Sequence, residues 1–203
     1  MKNLLLIIGL VFTLCMQAQR ESPEFLEAVL SQEELNAEFA DAEETILIPE
    51  DFKNFKELEF YPIDLKYRVT AAFVRTPKET PFLMPTTTDR LPEYVKYGEA
   101  HFELDGKKLR LNLYQSVPPM TEPEYIDYLF LPFTDFTSGD GSYGGGRFID
   151  ARIPEGQIII IDFNKAYNPY CAYNSNYSCP IPPRENDLLV RIEAGVKDFG
   201  KHN

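Results

Sequence analysis

The chain has few of the residues that build most recognisable catalytic centres. Its 203 residues include two histidines, three cysteines and no tryptophan. His202 stands beside the C-terminus, and His101 falls on the polar side of an alternating segment. A centre built on several histidines is excluded, and His101 reads as a surface residue. No serine occupies a G-x-S-x-G elbow, since Ser138 before Gly139 lacks the first glycine. The glycines at 144–146 are not followed by Lys-Ser/Thr, so they form no phosphate loop of the P-loop kind. Aspartates and asparagines do not alternate as a calcium loop requires. No cofactor and no metal site is expected.

Basic residues are also scarce, with 20 against 32 acidic ones and a net charge of −12. A negative field repels phosphate backbones and anionic membrane surfaces, which excludes nucleic acid as a partner. No apolar run is long enough to span a bilayer. The longest, 4–16, covers about 13 residues after Lys2, the length of a signal-peptide core. Cleavage after Ala18 predicts an exported protein, periplasmic or extracellular, with no stable membrane insertion afterwards. The alternative is lipidation at Cys15, although Leu14 fills the place where that signal needs a small residue. The expected organisation is a signal peptide at 1–18, a helical segment at 19–48, and one β-rich domain at 49–203. Internal repeats and low-complexity tracts are lacking, and nothing in the sequence fixes an oligomeric state.

What the chain does have is apolar patterning, with 44% hydrophobic and 13% aromatic residues. Ser22 before Pro23 predicts a helix start, with a short helix over 23–30 carrying Phe25, Leu26, Val29 and Leu30. Ser31 and Glu34 resemble a capping box opening a second helix to about 44, which would bury Leu35 and Phe39. One continuous helix through Ser31 is the alternative. Phe52, Phe55 and Phe60 lie in an irregular stretch and are expected to plug one end of the core.

From there the period changes to two. Tyr67, Val69, Ala71 and Phe73 alternate with Lys66, Arg68 and Thr70, which predicts a half-buried strand over 65–76. A second, edge or bulged strand is expected over 82–88 because of Pro81 and Pro85. Asp105-Gly106 between two alternating runs signals a type I′ hairpin, with Gly98 at a bulge or strand start. Further strands are expected over 125–133, 148–153, 158–163 and 188–194. The fold class is mainly β: an antiparallel β-sandwich or a barrel-like sheet of about eight strands with two short N-terminal helices.

Two segments concentrate polar residues. The first, 135–147, runs from Asp135 through a glycine-rich loop to Arg147, whose charge could face an anion held by backbone N–H groups. The second, 162–186, holds Asp162, Asn164, Asn168, Tyr170, Cys171, Cys179 and Asn186. Asp135 and Asp162 each end a strong strand. They could act as a general acid and base with Arg147, or cap their own loops. Cys171 and Cys179 form an even pair that an oxidising compartment would join in a disulfide; free thiols and a metal site are the alternatives. The tyrosines of the second segment could line a pocket or cover the sheet end.

Three stretches carry a resemblance: FYPIDLKYRVTAAF, LFLPFTDFTSGDGSYGGGRFID and IDFNKAYNPYCAYNSNYSCPIPPREN, spanning about 60–195. With them the chain resembles the bacterial family called domain of unknown function 1684. The resemblance implies no transferable activity. It does draw notice to polar positions: Asp135, Thr137, Gly139, Tyr143, Arg147, Asp162, Asn164, Asn168, Cys171, Cys179, Pro180 and Asn186. Polar family-like positions point to a site. The expected function is binding of a small polar ligand between the 135–147 and 162–186 segments, with Tyr143, Arg147, Asn164, Asn168, Tyr170 and Asn186 as contacts. A hydrolase-like enzyme using Asp135, Asp162 and Arg147 is a second reading, and a structural or protein-interaction module a third.

Overall fold

A computed structural model describes residues 22–200. The expected signal peptide and the lipidation alternative at Cys15 lie outside these residues. The chain opens with helix α1 (Pro23–Ala40) and a short α2 (Pro49–Asn54). Ser22 caps α1 by accepting a hydrogen bond from Phe25 N–H at 3.2 Å. The expected break at Ser31 does not occur. Neither glycine nor proline lies between Leu30 and Glu34, so the helix runs on and the capping-box pattern is interior to it. The apolar stripe is also displaced from its expected position. Phe39 is buried as expected, but in the first turns Ala28 is buried while Leu26 and Leu30 are largely exposed.

The described residues contain seven strands in one antiparallel sheet: β1 (Arg68–Arg75), β2 (Phe82–Leu83), β3 (Glu93–Leu104), β4 (Lys107–Ser116), β5 (Tyr128–Phe133), β6 (Arg147–Arg152) and β7 (Ile158–Asp162). Their order is β6-β5-β4-β3-β1-β7, with the short β2 on β3. The β3–β4 hairpin turns at Asp105 and Gly106, both at positive φ as a type I′ turn demands. A register shift between Lys96 and Gly98 marks a bulge in β3.

The sheet is curled. The two end strands send Ile149 and Ala151 of β6, and Ile159 and Ile161 of β7, into the same apolar core as the central strands. This is one curled sheet and not a sandwich of two. On its outer face, Met84, Tyr114, Phe130 and Phe148 form a second cluster. A third joins Phe39, Ile46, Leu47 and Leu58 to Ala172, Tyr173 and Val196, with Phe52, Phe55 and Phe60 packed against it.

The expected eighth strand at 188–194 pairs with no ladder. Its alternation is nonetheless real, since Leu188, Val190, Ile192 and Ala194 are all buried in the core. Its first half bonds to the backbone after β5, with Leu188 N–H donating to Thr134 O at 2.8 Å and Phe136 N–H to Val190 O at 2.9 Å, and side chains hold the second half. Asp135 accepts from Ile192 N–H at 2.7 Å, while Arg147 donates to the carbonyls of Ile192 (2.8 Å) and Ala194. Period-two burial requires only an extended chain, and here its hydrogen bonds are shared between the 134–136 backbone and a buried ion pair.

Candidate functional site

The two sheet edges do not meet along their length. Phe148, Ile149 and Asp150 of β6, with Ile160 and Asp162 of β7, line a cleft of about 790 Å³. Its remaining wall comes from α1 and from the segment after β7, including Glu27, Glu38, Lys165, Tyr167, Tyr170 and Cys179. Gln32 on α1 donates to the carbonyl of Asn164 at 2.9 Å and so pins the helix across the opening. This volume falls in the range of sites that take small molecules.

Of the residues singled out from sequence, Asp162 and Tyr170 line this cleft, as do Cys179 and Pro180. Asp162 is 7% exposed. Its Oδ1 accepts from Asn164 N–H at 3.0 Å and from Asn164 Nδ2 at 2.8 Å, while Oδ2 has no hydrogen-bond partner. Arg68 Nε stands 3.8 Å from that oxygen and also lacks a hydrogen-bond partner. Two such atoms, side by side in a cleft wall, are what a bound polar group would satisfy. Arg68 and Lys165 each pair with Glu27 at 3.6 Å, which ties α1 to this end of the cleft.

At the other end, Asp150 accepts from the hydroxyls of Tyr128 (2.8 Å) and Tyr167 (2.6 Å). Burial, and then the neighbouring Asp150 carboxylate, push both phenols above their ordinary pKa. Tyr170 donates to Glu38 on α1 at 3.1 Å, and burial followed by the Glu38 charge raises its phenol to about 12.

The 135–147 segment does not line the cleft, which corrects the expected two-segment site. Arg147 and Asp135 form an ion pair at 3.1 Å with both side chains fully buried. Asp135 also accepts from Thr137 N–H, Thr137 Oγ1 and Ile192 N–H. Burial lowers the Arg147 pKa, and nearby Asp135 counters it. These groups are committed to holding the 188–194 segment, so Arg147 faces no anion at the loop mouth. The glycine loop closes on itself through Thr137 Oγ1 and Ser142 Oγ at 2.8 Å. No hydrogen bond or ion pair joins Asp162 to Asp135 or Arg147, so the expected acid–base pair is not assembled.

Three asparagines expected as ligand contacts serve as internal braces. Asn164 accepts from Asp64 N–H and donates to Asp64 O, both at 3.0 Å. Asn168 donates to Tyr173 Oη and to the Lys197 carbonyl. Asn186 is fully buried between β4 and β5. It accepts from Asn112 N–H at 2.8 Å and donates to the carbonyls of Asn112 (2.9 Å) and Pro132 (2.6 Å). Proline has no N–H to offer β4 there, and the asparagine amide stands in for the missing strand contact.

The expected disulfide is not formed, and Cys171 and Cys179 are free. They are nevertheless in contact, with Cys171 N–H donating to Cys179 Sγ at 3.1 Å and Tyr143 Oη 3.9 Å from Cys171 Sγ. The Cys179 thiol stabilises a Cys171 thiolate and pulls its pKa down to about 6, while the Cys179 pKa rises. Among the described residues, no group of three or more His, Cys, Asp and Glu is placed to hold a metal ion.

Sequence reasoning passed over Arg68, Lys165, Asp150 and the polar face of α1. A signal was present: Glu27, Ser31, Glu34 and Glu38 recur at helical spacing and therefore share one face. That face reads as solvated until a sheet edge is known to lie beneath it.

Fold and cleft together define a mainly β protein, built on one curled antiparallel sheet with a helix laid across the seam between its edges. The chain belongs to the family described as Protein of unknown function (DUF1684), whose profile matches residues 53–197. It is similar to the uncharacterized protein from gene locus rrnAC0354 of Haloarcula marismortui, whose structure was determined in solution by NMR. The two are 31% identical, with a TM-score of 0.69 over 90% of this chain and 100% of that one. No curated protein matches.

Proposed function

We propose that the protein binds a small polar ligand in the cleft between β6 and β7, beneath α1. One observation carries this reading. In a cleft of about 790 Å³, the Asp162 carboxylate and the Arg68 guanidinium each keep a buried polar atom without a hydrogen-bond partner. They face each other at 3.8 Å in a long ion pair, and a buried polar atom without a hydrogen bond costs up to about 1–3 kcal/mol. Asp162 belongs to the 162–186 segment, while the 135–147 segment acts in the scaffold. The hydrolase reading needs Asp135 and Arg147 to reach a substrate, and both side chains are sealed in the core. In this reading the protein works outside the cytoplasm, because the apolar run at 4–16 serves as a cleaved export signal.

The test is a thermal-shift panel of metabolites on the wild type and on Ser31→Trp, which fills the cleft from α1. A ligand at a hundred times its Kd stabilises by about 2.7 kcal/mol, or roughly 5–10 °C for a domain of this size. A shift of that order, absent in Ser31→Trp, is the expected result. A panel without hits, or hits that persist in Ser31→Trp, refutes the site.

A further inference from the structure

We infer that Cys171 and Cys179 form a thiol–disulfide exchange site, in which Cys171 attacks a small disulfide and Cys179 resolves the mixed disulfide that results. This activity does not depend on what the cleft binds. Two separately anchored segments bring the cysteines together. Cys171 sits in a one-turn 3₁₀ helix, Tyr170–Ala172. Cys179 is held against Thr87, its N–H donating to Thr87 Oγ1 at 3.1 Å and its carbonyl accepting from Thr87 N–H at 2.9 Å. Between them the chain doubles back through Asn174. Asn174 N–H donates to the Tyr170 carbonyl at 3.0 Å, Tyr177 N–H to the Asn174 carbonyl at 3.1 Å, and the Asn174 amide to Ile46 O at 2.8 Å. The contact is therefore built into the reduced fold, and the loop-closure entropy of joining the two cysteines has already been met.

Three features distinguish this pair from a structural crosslink. Exposure is unequal, with Cys171 partly exposed and Cys179 buried. An incoming disulfide meets Cys171 first, and Cys179 is sheltered until the mixed disulfide forms. The polar contacts also favour the reduced pair: Cys171 N–H donates to Cys179 Sγ at 3.1 Å, and Tyr143 Oη lies 3.9 Å from Cys171 Sγ. Groups that stabilise the thiol and thiolate make the corresponding disulfide a stronger oxidant, which suits exchange and not permanence. Finally, the Cys179 thiol holds the Cys171 pKa down to about 6, so the exposed sulfur is largely ionised near neutrality. In the first step a lone pair of the Cys171 thiolate bonds to one sulfur of the small disulfide R–S–S–R, whose S–S bond breaks and releases RS⁻. In the second, Cys179 Sγ attacks Cys171 Sγ, the mixed S–S bond breaks, and the Cys179 proton leaves on the second product, RSH. Two electrons pass from the protein to the small disulfide, and the protein ends with a Cys171–Cys179 bond.

The test uses the reduced full chain carrying Cys15→Ser, which leaves Cys171 and Cys179 as its only thiols. It is mixed with oxidised glutathione at about pH 6.5, quenched with acid and read by mass spectrometry. The intact pair should lose two hydrogens and retain no glutathione. With Cys179→Ser added, a glutathione adduct should accumulate, and peptide mapping should place it on Cys171. With Cys171→Ser added instead, reaction should slow on the order of tenfold, since the remaining thiol is buried. A further comparison needs neither variant: the folded intact pair should react roughly threefold or more faster than the same chain in urea. Unfolded thiols are almost wholly protonated at that pH, and the lower basicity of Cys171 takes back only part of its gain in thiolate. A stable glutathione adduct on the intact pair would mean that Cys179 does not resolve it. Equal rates in the two single variants would mean that Cys171 is not the attacking thiol. A folded chain that reacts no faster than the unfolded one would mean that the fold does not activate the pair. Each of these results overturns the inference.

Discussion

Asn186→Leu removes one amide from the seam between β4 and β5 while keeping the same branched heavy-atom outline. Three backbone groups lose their partner at once: Asn112 N–H, Asn112 C=O and Pro132 C=O. The site is fully buried, so water cannot replace the amide without opening the sheet. Leaving a buried donor or acceptor unmade costs about 1–3 kcal/mol. Three such groups give roughly 3–6 kcal/mol, allowing for partial relaxation of the carbonyls, which places the variant in the tail of measured substitutions. β4 and β5 share only the Tyr114–Phe130 register pair, so little else compensates there. Urea unfolding followed by both tyrosine fluorescence and far-ultraviolet circular dichroism measures the loss. Asn186 lies outside the cleft, so any ligand affinity should survive at temperatures where the variant is folded. A loss below about 1 kcal/mol would mean that the amide only fills space, and the bracing argument would be refuted.

Arg147→Met should cost about 3–5 kcal/mol, because it strands the Asp135 carboxylate and frees the carbonyls of Ile192 and Ala194. Asp135→Asn/Arg147→Met should cost less than the two single changes added together, as measured by a urea double-mutant cycle. In the reduced protein, Cys171 should be alkylated by iodoacetamide with a midpoint near pH 6, moving upward in Cys179→Ala, which removes the largest source of thiolate stabilisation. The same lowered pKa makes the fold more stable as pH rises from about 6 towards the ordinary thiol value of about 9, since the folded chain favours the ionised form there. Urea midpoints across that window, compared with Cys171→Ala, give the sign. Gly146→Ala should destabilise by more than about 1 kcal/mol in thermal unfolding, because Gly146 has φ of 88° and an added Cβ would lie 2.6 Å from the Phe133 carbonyl.

Local chemistry was readable wherever one residue type decides the backbone. Asp105-Gly106 specifies its turn because both positions need positive φ, and Ser22-Pro23 specifies a helix start because the serine caps and the proline has no N–H to lose. Alternation over 65–76 and on both sides of Asp105-Gly106 located strands because a half-buried sheet has a period of two. The same rule overcounted at 188–194. Alternation reports which side chains are buried, and says nothing about whether the backbone bonds form a continuous ladder or are divided between Thr134 and Phe136 and the side chains of Asp135 and Arg147.

The sequence by itself determined the class of fold, the family and the net acidity, since these follow from composition and from patterns only a few residues long. Only the tertiary structure decided what each polar residue does. Arg147 and Asp162 look equally suited to chemistry in the chain, yet one is sealed beneath a core segment and the other lines a cleft. That difference arises from how far the sheet curls and where α1 crosses its two edges. Both depend on contacts between residues more than a hundred positions apart, such as Gln32 with Asn164, which leave no periodic trace in the sequence.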